Sequence, residues 1–311
     1  MILTVTLNTA LDITYRVPEL RPGASHRVAE VSERPGGKGL NVARVLAALG
    51  HEVTVTGFAG GTTGRSLRDL LFGREPGGIA DALVRVAGPT RRTVAVVDAA
   101  DGGTTQLNEP GPAVTPAEWT DFTVAYAELV RSASAVALCG SLPPGVPVGA
   151  YARLVRTARA AGAAVLLDTS GEPLRRGLAA RPDIVKPNAE ELAELTGNQD
   201  PAGAAEAARR RGAHAVVASL GPRGLLAVTP EGSWSAAPPR PVRGNATGAG
   251  DSAVAALLSG LAEGLPWPER LVRAVALSAA TVLAPVAGEF DREAYGRLLD
   301  EVRVSGETPA L

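Results

Sequence analysis

Short β-rich runs alternate along this chain with stretches whose apolar residues fall at helical spacing. Residues 2–7, 53–57, 135–139, 164–168, 183–186 and 215–219 read as strands, and 40–49, 116–131, 148–161 and 201–211 read as helices. Thr115-Pro116-Ala117-Glu118 is a helix start, with Thr115 as cap, Pro116 in the first turn and Glu118 closing a capping box. This alternation predicts an α/β fold with a mainly parallel central sheet and helices on both faces, and it places functional groups on loops at the carboxyl ends of the strands. Two segments break the pattern. Residues 12–34 and 90–108 carry alternating apolar positions, as in Thr93-Val94-Ala95-Val96-Val97, and a turn around Asp101-Gly102-Gly103 splits the second. They predict antiparallel strands outside the main sheet, a small β lid that covers a substrate or pairs with another subunit.

With 311 residues and 45% apolar content the chain can bury a large core. A net charge of −1 gives no general reason to expect nucleic-acid or membrane binding. Cys139 is the only cysteine, so no intramolecular disulfide forms, and together with a strand-like start that lacks a basic leader this reads as a cytoplasmic protein. The three histidines, His26, His51 and His214, are scattered without zinc-type spacing.

The segment carrying the most chemistry is Asn245-Ala246-Thr247-Gly248-Ala249-Gly250-Asp251-Ser252, which leads into an apolar helical stretch. Glycines there let the backbone present bare N–H groups at a helix N-terminus, where an anion is favoured. Asp251 is a carboxylate placed where a phosphate would repel it, and its use is to take a proton from an attacking hydroxyl. The plainer alternatives are a first-turn acid that complements the helix dipole, or a weak dinucleotide fingerprint without its strand and distal acid. Composition adds a second clue, because 29 of the 31 basic residues are arginine. The two lysines are Lys38, in Pro35-Gly36-Gly37-Lys38-Gly39-Leu40-Asn41, and Lys186, in Asp183-Ile184-Val185-Lys186-Pro187-Asn188. A retained ammonium fits a need for a compact point charge rather than a planar fork.

The turn at 36–39 and the loop at 247–252 resemble the two signatures of the ribokinase-like (PfkB) carbohydrate kinases, in the same order. The similarity runs nearly the whole length through Gly140-Ser141-Leu142-Pro143-Pro144-Gly145, Leu167-Asp168-Thr169-Ser170-Gly171, Lys186-Pro187-Asn188-Ala189-Glu190-Glu191-Leu192 and Ser219-Leu220-Gly221-Pro222-Arg223-Gly224. Thr6 to Asp12, Leu107 to Pro112 and Ser141 to Gly145 are similar to the branch acting on phosphorylated ketohexoses. Thr9, Ser25, Thr93 and Cys139 depart from residues common in the family.

The resemblance implies a three-layer αβα sandwich forming one kinase domain over 1–311. It implies Asp251 as base, with the amides of Ala249, Gly250 and Asp251, in the loop that starts at Gly248, as the anion hole. It implies Asp12, Gly37 and Asn41 on sugar hydroxyls, and Lys38, Arg91, Ser141 and Arg27 around a sugar phosphate. Lys186, Asn188, Ser219, Gly221 and Gly224 would meet ATP, while Asn188 and Glu191 would place Mg2+ through water, although the same pair reads equally as a capping box. The expectation is ATP-dependent phosphorylation of fructose 1-phosphate to fructose 1,6-bisphosphate by a homodimer joined through the lid. Tagatose 6-phosphate and fructose 6-phosphate are the alternative acceptors, a non-catalytic sugar-phosphate sensor is the alternative of another class, and a nicotinamide enzyme lacks its fingerprint context.

Overall fold

The computed structural model describes residues 1–28, 30–73, 78–284 and 286–307. In chain order, β1 (Ile2–Thr6), β2 (Ala10–Val17) and β3 (Glu30–Gly36) lead to α1 (Lys38–Ala48), β4 (Val53–Gly60), α2 (Gly61–Phe72), β5 (Ile79–Val86), β6 (Arg91–Asp98) and β7 (Thr104–Asn108). Then come α3 (Pro116–Leu129), β8 (Ala135–Cys139), α4 (Ala150–Ala160), β9 (Ala164–Asp168), α5 (Gly171–Leu178), β10 (Ile184–Val185), α6 (Ala189–Thr196) and α7 (Pro201–Arg210). The last part is β11 (Ala215–Ser219), β12 (Leu225–Thr229), β13 (Gly232–Ala237), α8 (Ala249–Ala262), α9 (Trp267–Val282), α10 (Arg292–Glu301) and β14 (Arg303–Glu307).

Ten strands form the central sheet in the order β14-β13-β12-β11-β10-β9-β8-β1-β4-β5. From β11 to β5 every pairing is parallel, and β12, β13 and β14 extend the sheet antiparallel at one edge. Successive residues of each strand point to opposite faces, so the sheet feeds two cores. Leu3, Val5, Val136, Leu138, Val165 and Leu167 pack with Phe122, Tyr126, Tyr151 and Leu154 of α3 and α4. Ile2, Ala135, Ala137 and Leu166 pack on the other face with Leu40, Leu46, Leu67, Leu257 and Leu277 of α1, α2, α8 and α9. The mainly parallel sheet with helices on both faces is the α/β fold expected from the alternation of the sequence, and its three layers are those the resemblance to the ribokinase-like kinases implies.

The two segments that broke the pattern form a separate four-stranded sheet, β3-β2-β6-β7. Each hairpin is antiparallel, and the two join through a parallel β2–β6 pair that sets Asp12 beside Thr93. Ala29, within the first lid segment, lies outside the described residues. No helix among the described residues is long and apolar enough to cross a membrane.

Candidate active site

The lid encloses a cleft of about 620 Å3, lined by Asp12 and Thr93 from the lid, Asn41 from α1, residues 244–247 ahead of α8, and residues 286–287. α8 is mostly apolar, and every residue from Asp251 to Gly260 is buried between α1, α9 and the sheet. A helix so enclosed carries its first turn, and with it Asp251, into the interior. Gly248 caps it at φ 85°, in the left-handed region. A Cβ on Gly248 would also lie 2.8 Å from the Ala287 side chain, so both backbone and neighbour require glycine.

The cap has no side-chain acceptor, and the first bond of the helix runs from the Ser252 amide to the Gly248 carbonyl at 2.9 Å. The Ala249 amide turns back on the Ala246 carbonyl at 3.2 Å. That leaves the Gly250 and Asp251 amides without an acceptor among the described residues, which narrows the expected three-residue anion hole to two open donors. Lys186 completes the surface, since its Nζ lies 3.6 Å from where a Cβ of Gly250 would stand.

Asp251 is 7% exposed, and its Oδ2 accepts a 2.8 Å hydrogen bond from Asn41 Nδ2. Burial, with the nearby Asp168 carboxylate, raises its pKa to about 6; Asn41 and the two lysines pull the other way. Asp168, within the 167–171 segment, has no role implied by the resemblance. It ends β9, is 1% exposed, and accepts from Lys38 Nζ at 3.2 Å through both oxygens while Lys186 Nζ lies 3.6 Å away. The one signal for it was a carboxylate closing an otherwise apolar strand. Burial disfavours the charge on Lys38, but Asp168, with Asp251 and Glu191 behind it, outweighs that and pushes its pKa up. Both expected lysines thus meet at one buried carboxylate beside the open end of α8.

On the lid side, Asp12 lies across Gly36, where a Cβ would stand 2.2 Å from its carboxyl carbon. Burial raises the Asp12 pKa to about 6, opposed by the Thr93 hydroxyl and the Arg91 charge. The Arg91 guanidinium is fixed by the Asn8 carbonyl at 3.3 Å and the Glu109 carbonyl at 3.2 Å. Asn8 donates in turn to the Ser141 hydroxyl at 3.1 Å, so Arg91 and Ser141 are linked through it. Gly37 opens α1 at φ 116° and its carbonyl accepts from the Leu40 and Asn41 amides. Arg27 is exposed on the connection between β2 and β3 and does not line the cleft. The arginines that line it are Arg16 and Arg34; the Arg34 side chain reaches Glu289 at 2.6 Å, and Glu289 also meets Arg44 of α1 at 3.0 Å.

Asn188 and Glu191 form the capping box that opens α6, with the Glu191 amide donating to Asn188 Oδ1 at 2.8 Å and the Asn188 amide to Glu191 Oε2 at 2.9 Å. Asn188 bridges Ser219, and the turn through Gly221 and Gly224 then passes from β11 to β12. Cys139 is fully buried, and burial pushes its thiol up, consistent with a packing role.

Amides and ammonium groups that absorb negative charge, set beside a carboxylate that absorbs a proton, suit the transfer of a phosphoryl group to a hydroxyl. That class of enzyme is also where the chain's relatives lie. Residues 4–293 match the pfkB family carbohydrate kinases, and the chain belongs to that family, whose members use ATP, generally with Mg2+. It is 41% identical over 294 residues to a Rhodobacter capsulatus protein named 1-phosphofructokinase, covering 91% of this chain and 92% of that one. It is 42% identical over 283 residues, covering 87% of each chain, to a Xanthomonas campestris pv. campestris protein of the same name. Among solved structures, phosphofructokinase-2 from Escherichia coli in complex with fructose-6-phosphate superposes with a TM-score of 0.87 at 32% identity, over 96% of this chain and 98% of that one.

Proposed function

We propose that this protein is a cytoplasmic kinase that transfers the γ-phosphoryl group of ATP to fructose 1-phosphate, giving fructose 1,6-bisphosphate and ADP. The observation that carries the reading is Asp251, a buried carboxylate with a pKa raised to about 6 at the open N-terminus of α8. At neutral pH it is ionised, yet basic enough to accept the proton of the C6 hydroxyl as that oxygen attacks phosphorus. The bond from the γ-phosphorus to the bridging oxygen breaks, ADP leaves, and the proton stays on Asp251. The Gly250 and Asp251 amides, with the Lys186 ammonium beside Gly250, take up charge on the transferring oxygens.

Asp12, the Gly37 backbone and Asn41 hold acceptor hydroxyls in this reading. Arg91, Ser141 and Lys38 receive the 1-phosphate, Lys38 being steadied by Asp168. Asn188, Ser219 and the Gly221–Gly224 turn receive the nucleotide. Glu191, with one carboxylate oxygen bound in its capping box and electrostatic reach to Lys38, fits a role in holding Mg2+ through water, with Asn188 beside it. When bound, Mg2+ neutralises phosphate charge. The names of the two curated relatives support fructose 1-phosphate over other acceptors.

The lid strands expose Val31 at 56% and Leu107 at 60%, which supports pairing with a second copy through this face. Sedimentation of Leu107→Glu is expected to show a shift toward monomer; an unchanged species would reject a lid dimer. For the reaction, Mg-dependent ADP release is compared for fructose 1-phosphate, fructose 6-phosphate, tagatose 6-phosphate, fructose and ribose. A preference for fructose 1-phosphate, lost in Asp251→Asn, is expected. A higher kcat/KM with another phosphosugar would reassign the acceptor, and no turnover with any of them would favour a sensor.

A further inference from the structure

Away from the cleft, a cavity of about 660 Å3 lies where α2 begins, next to the edge strand β5. Three arginines line it. Arg65 and Arg68, three positions apart, share one face of α2. Arg85 projects from β5 toward the same helix, two positions after Leu83, which packs with Leu67 and Leu71 of α2. The facing wall is backbone, from Gly60, Gly61 and Gly64. α2 starts with no side-chain cap and no acid in its first turn, so its positive end is uncompensated.

The charges around the cavity do not balance. Arg68 is paired, with Asp81 Oδ2 3.0 Å from its Nε and the Leu83 carbonyl accepting from its Nη2, although Nε itself makes no hydrogen bond. Glu118 reaches the rim through the Ala87 amide at 2.7 Å, but its other oxygen is occupied in the capping box of α3. Arg65 and Arg85 are exposed and make no ion pair among the described residues. Arg65 and Arg85 therefore face the cavity with no ion pair of their own, while the carboxylates that reach its lining, Asp81 and Glu118, are engaged with Arg68 and with backbone amides.

We propose that this cavity binds a small phosphate-bearing anion, held by Arg65 and Arg85 over the first turn of α2, at a place distinct from the kinase cleft. Planar guanidinium forks match the edge of a phosphate through paired hydrogen bonds, and the glycine wall lets such a group approach the backbone. The same wall is tied to the lid: the Gly60 amide donates to the Thr90 hydroxyl at 3.0 Å, and the Thr63 hydroxyl donates to the Thr90 carbonyl at 2.6 Å. Thr90 directly precedes Arg91 and β6, so an occupant would sit against the anchor of a strand that faces the substrate cleft. The inference does not depend on which sugar the enzyme phosphorylates.

The test is calorimetric titration of pyrophosphate, without Mg2+, into the full-length protein, Arg65→Gln/Arg85→Gln, and a control pair, Arg156→Gln/Arg210→Gln on α4 and α7. Arg68 is kept because it closes α2 onto β5. The wild type is expected to show a binding event that weakens at least tenfold in the first variant and is retained in the control, with kcat/KM measured without pyrophosphate the same in all three. Arg65→Lys/Arg85→Lys, which keeps charge but loses the forks, is expected to fall between. Superposable isotherms for the wild type and Arg65→Gln/Arg85→Gln, no binding to the wild type, or equal weakening in the control pair would each overturn the proposal.

Discussion

Asp251→Asn should make the protein more stable while abolishing turnover, and the size of the gain follows from the site. Asparagine matches aspartate in shape and still offers an oxygen to Asn41 Nδ2, so the change removes a charge and little else. The carboxyl pKa rises from 3.8 to about 6 on folding. At about 1.36 kcal/mol per pH unit this is about 3 kcal/mol of stability forgone by the wild type once Asp251 is ionised. The sign follows from proton binding: the folded carboxyl holds its proton more tightly, so its contribution is fully present below the unfolded pKa and is lost as pH rises through about 6. The advantage of Asp251→Asn is thus near zero at about pH 4, grows up to about pH 6, and is flat at about 3 kcal/mol above that. Urea unfolding of both proteins across this range measures it, with kcat/KM followed in parallel. In the wild type kcat/KM should fall as pH drops through about 6, where Asp251 and Asp12 both take up a proton. A stability gain absent at neutral pH, or one that does not vary with pH, would refute the assignment of Asp251 as a buried base under electrostatic strain.

Other outcomes follow from the same geometry. Asp168→Asn leaves Lys38 and Lys186 without their shared carboxylate and should cost about 3–5 kcal/mol in urea unfolding; adding Lys38→Met should recover part of that loss. Gly248→Ala forces a side chain into the left-handed region and against Ala287, which should cost at least about 1 kcal/mol and lower kcat, read by thermal melting and steady-state rates. Glu191→Gln keeps the capping box and hence the stability, but should move the Mg2+ dependence of the rate to higher concentration. An unchanged Mg2+ titration would exclude Glu191 from the metal site.

Much of this protein is legible in its sequence where the determinants are local. Strands β8, β9 and β11 fall at the residues their apolar runs mark, and the starts of α3 and α7 fall where proline predicts, because buried strands and caps are written in adjacent positions. The glycine loop before α8 and the capping box at Asn188 and Glu191 were visible for the same reason. Only the tertiary structure decided what these pieces meet. Lys38 and Asp168 are 130 residues apart, and Asn41 and Asp251 are 210 apart, yet each pair is joined by a hydrogen bond because the sheet order sets β1, β8 and β9 side by side. The antiparallel edge of β12 to β14, the parallel seam of the lid and the exclusion of Arg27 from the cleft likewise depend on which strands become neighbours. Periodicity records which face of an element is buried, but the partner across that face is chosen by packing of the whole chain. The raised pKa of Asp251 belongs to the second kind of information, since α8 becomes a buried helix only when α1, α9 and the sheet close around it.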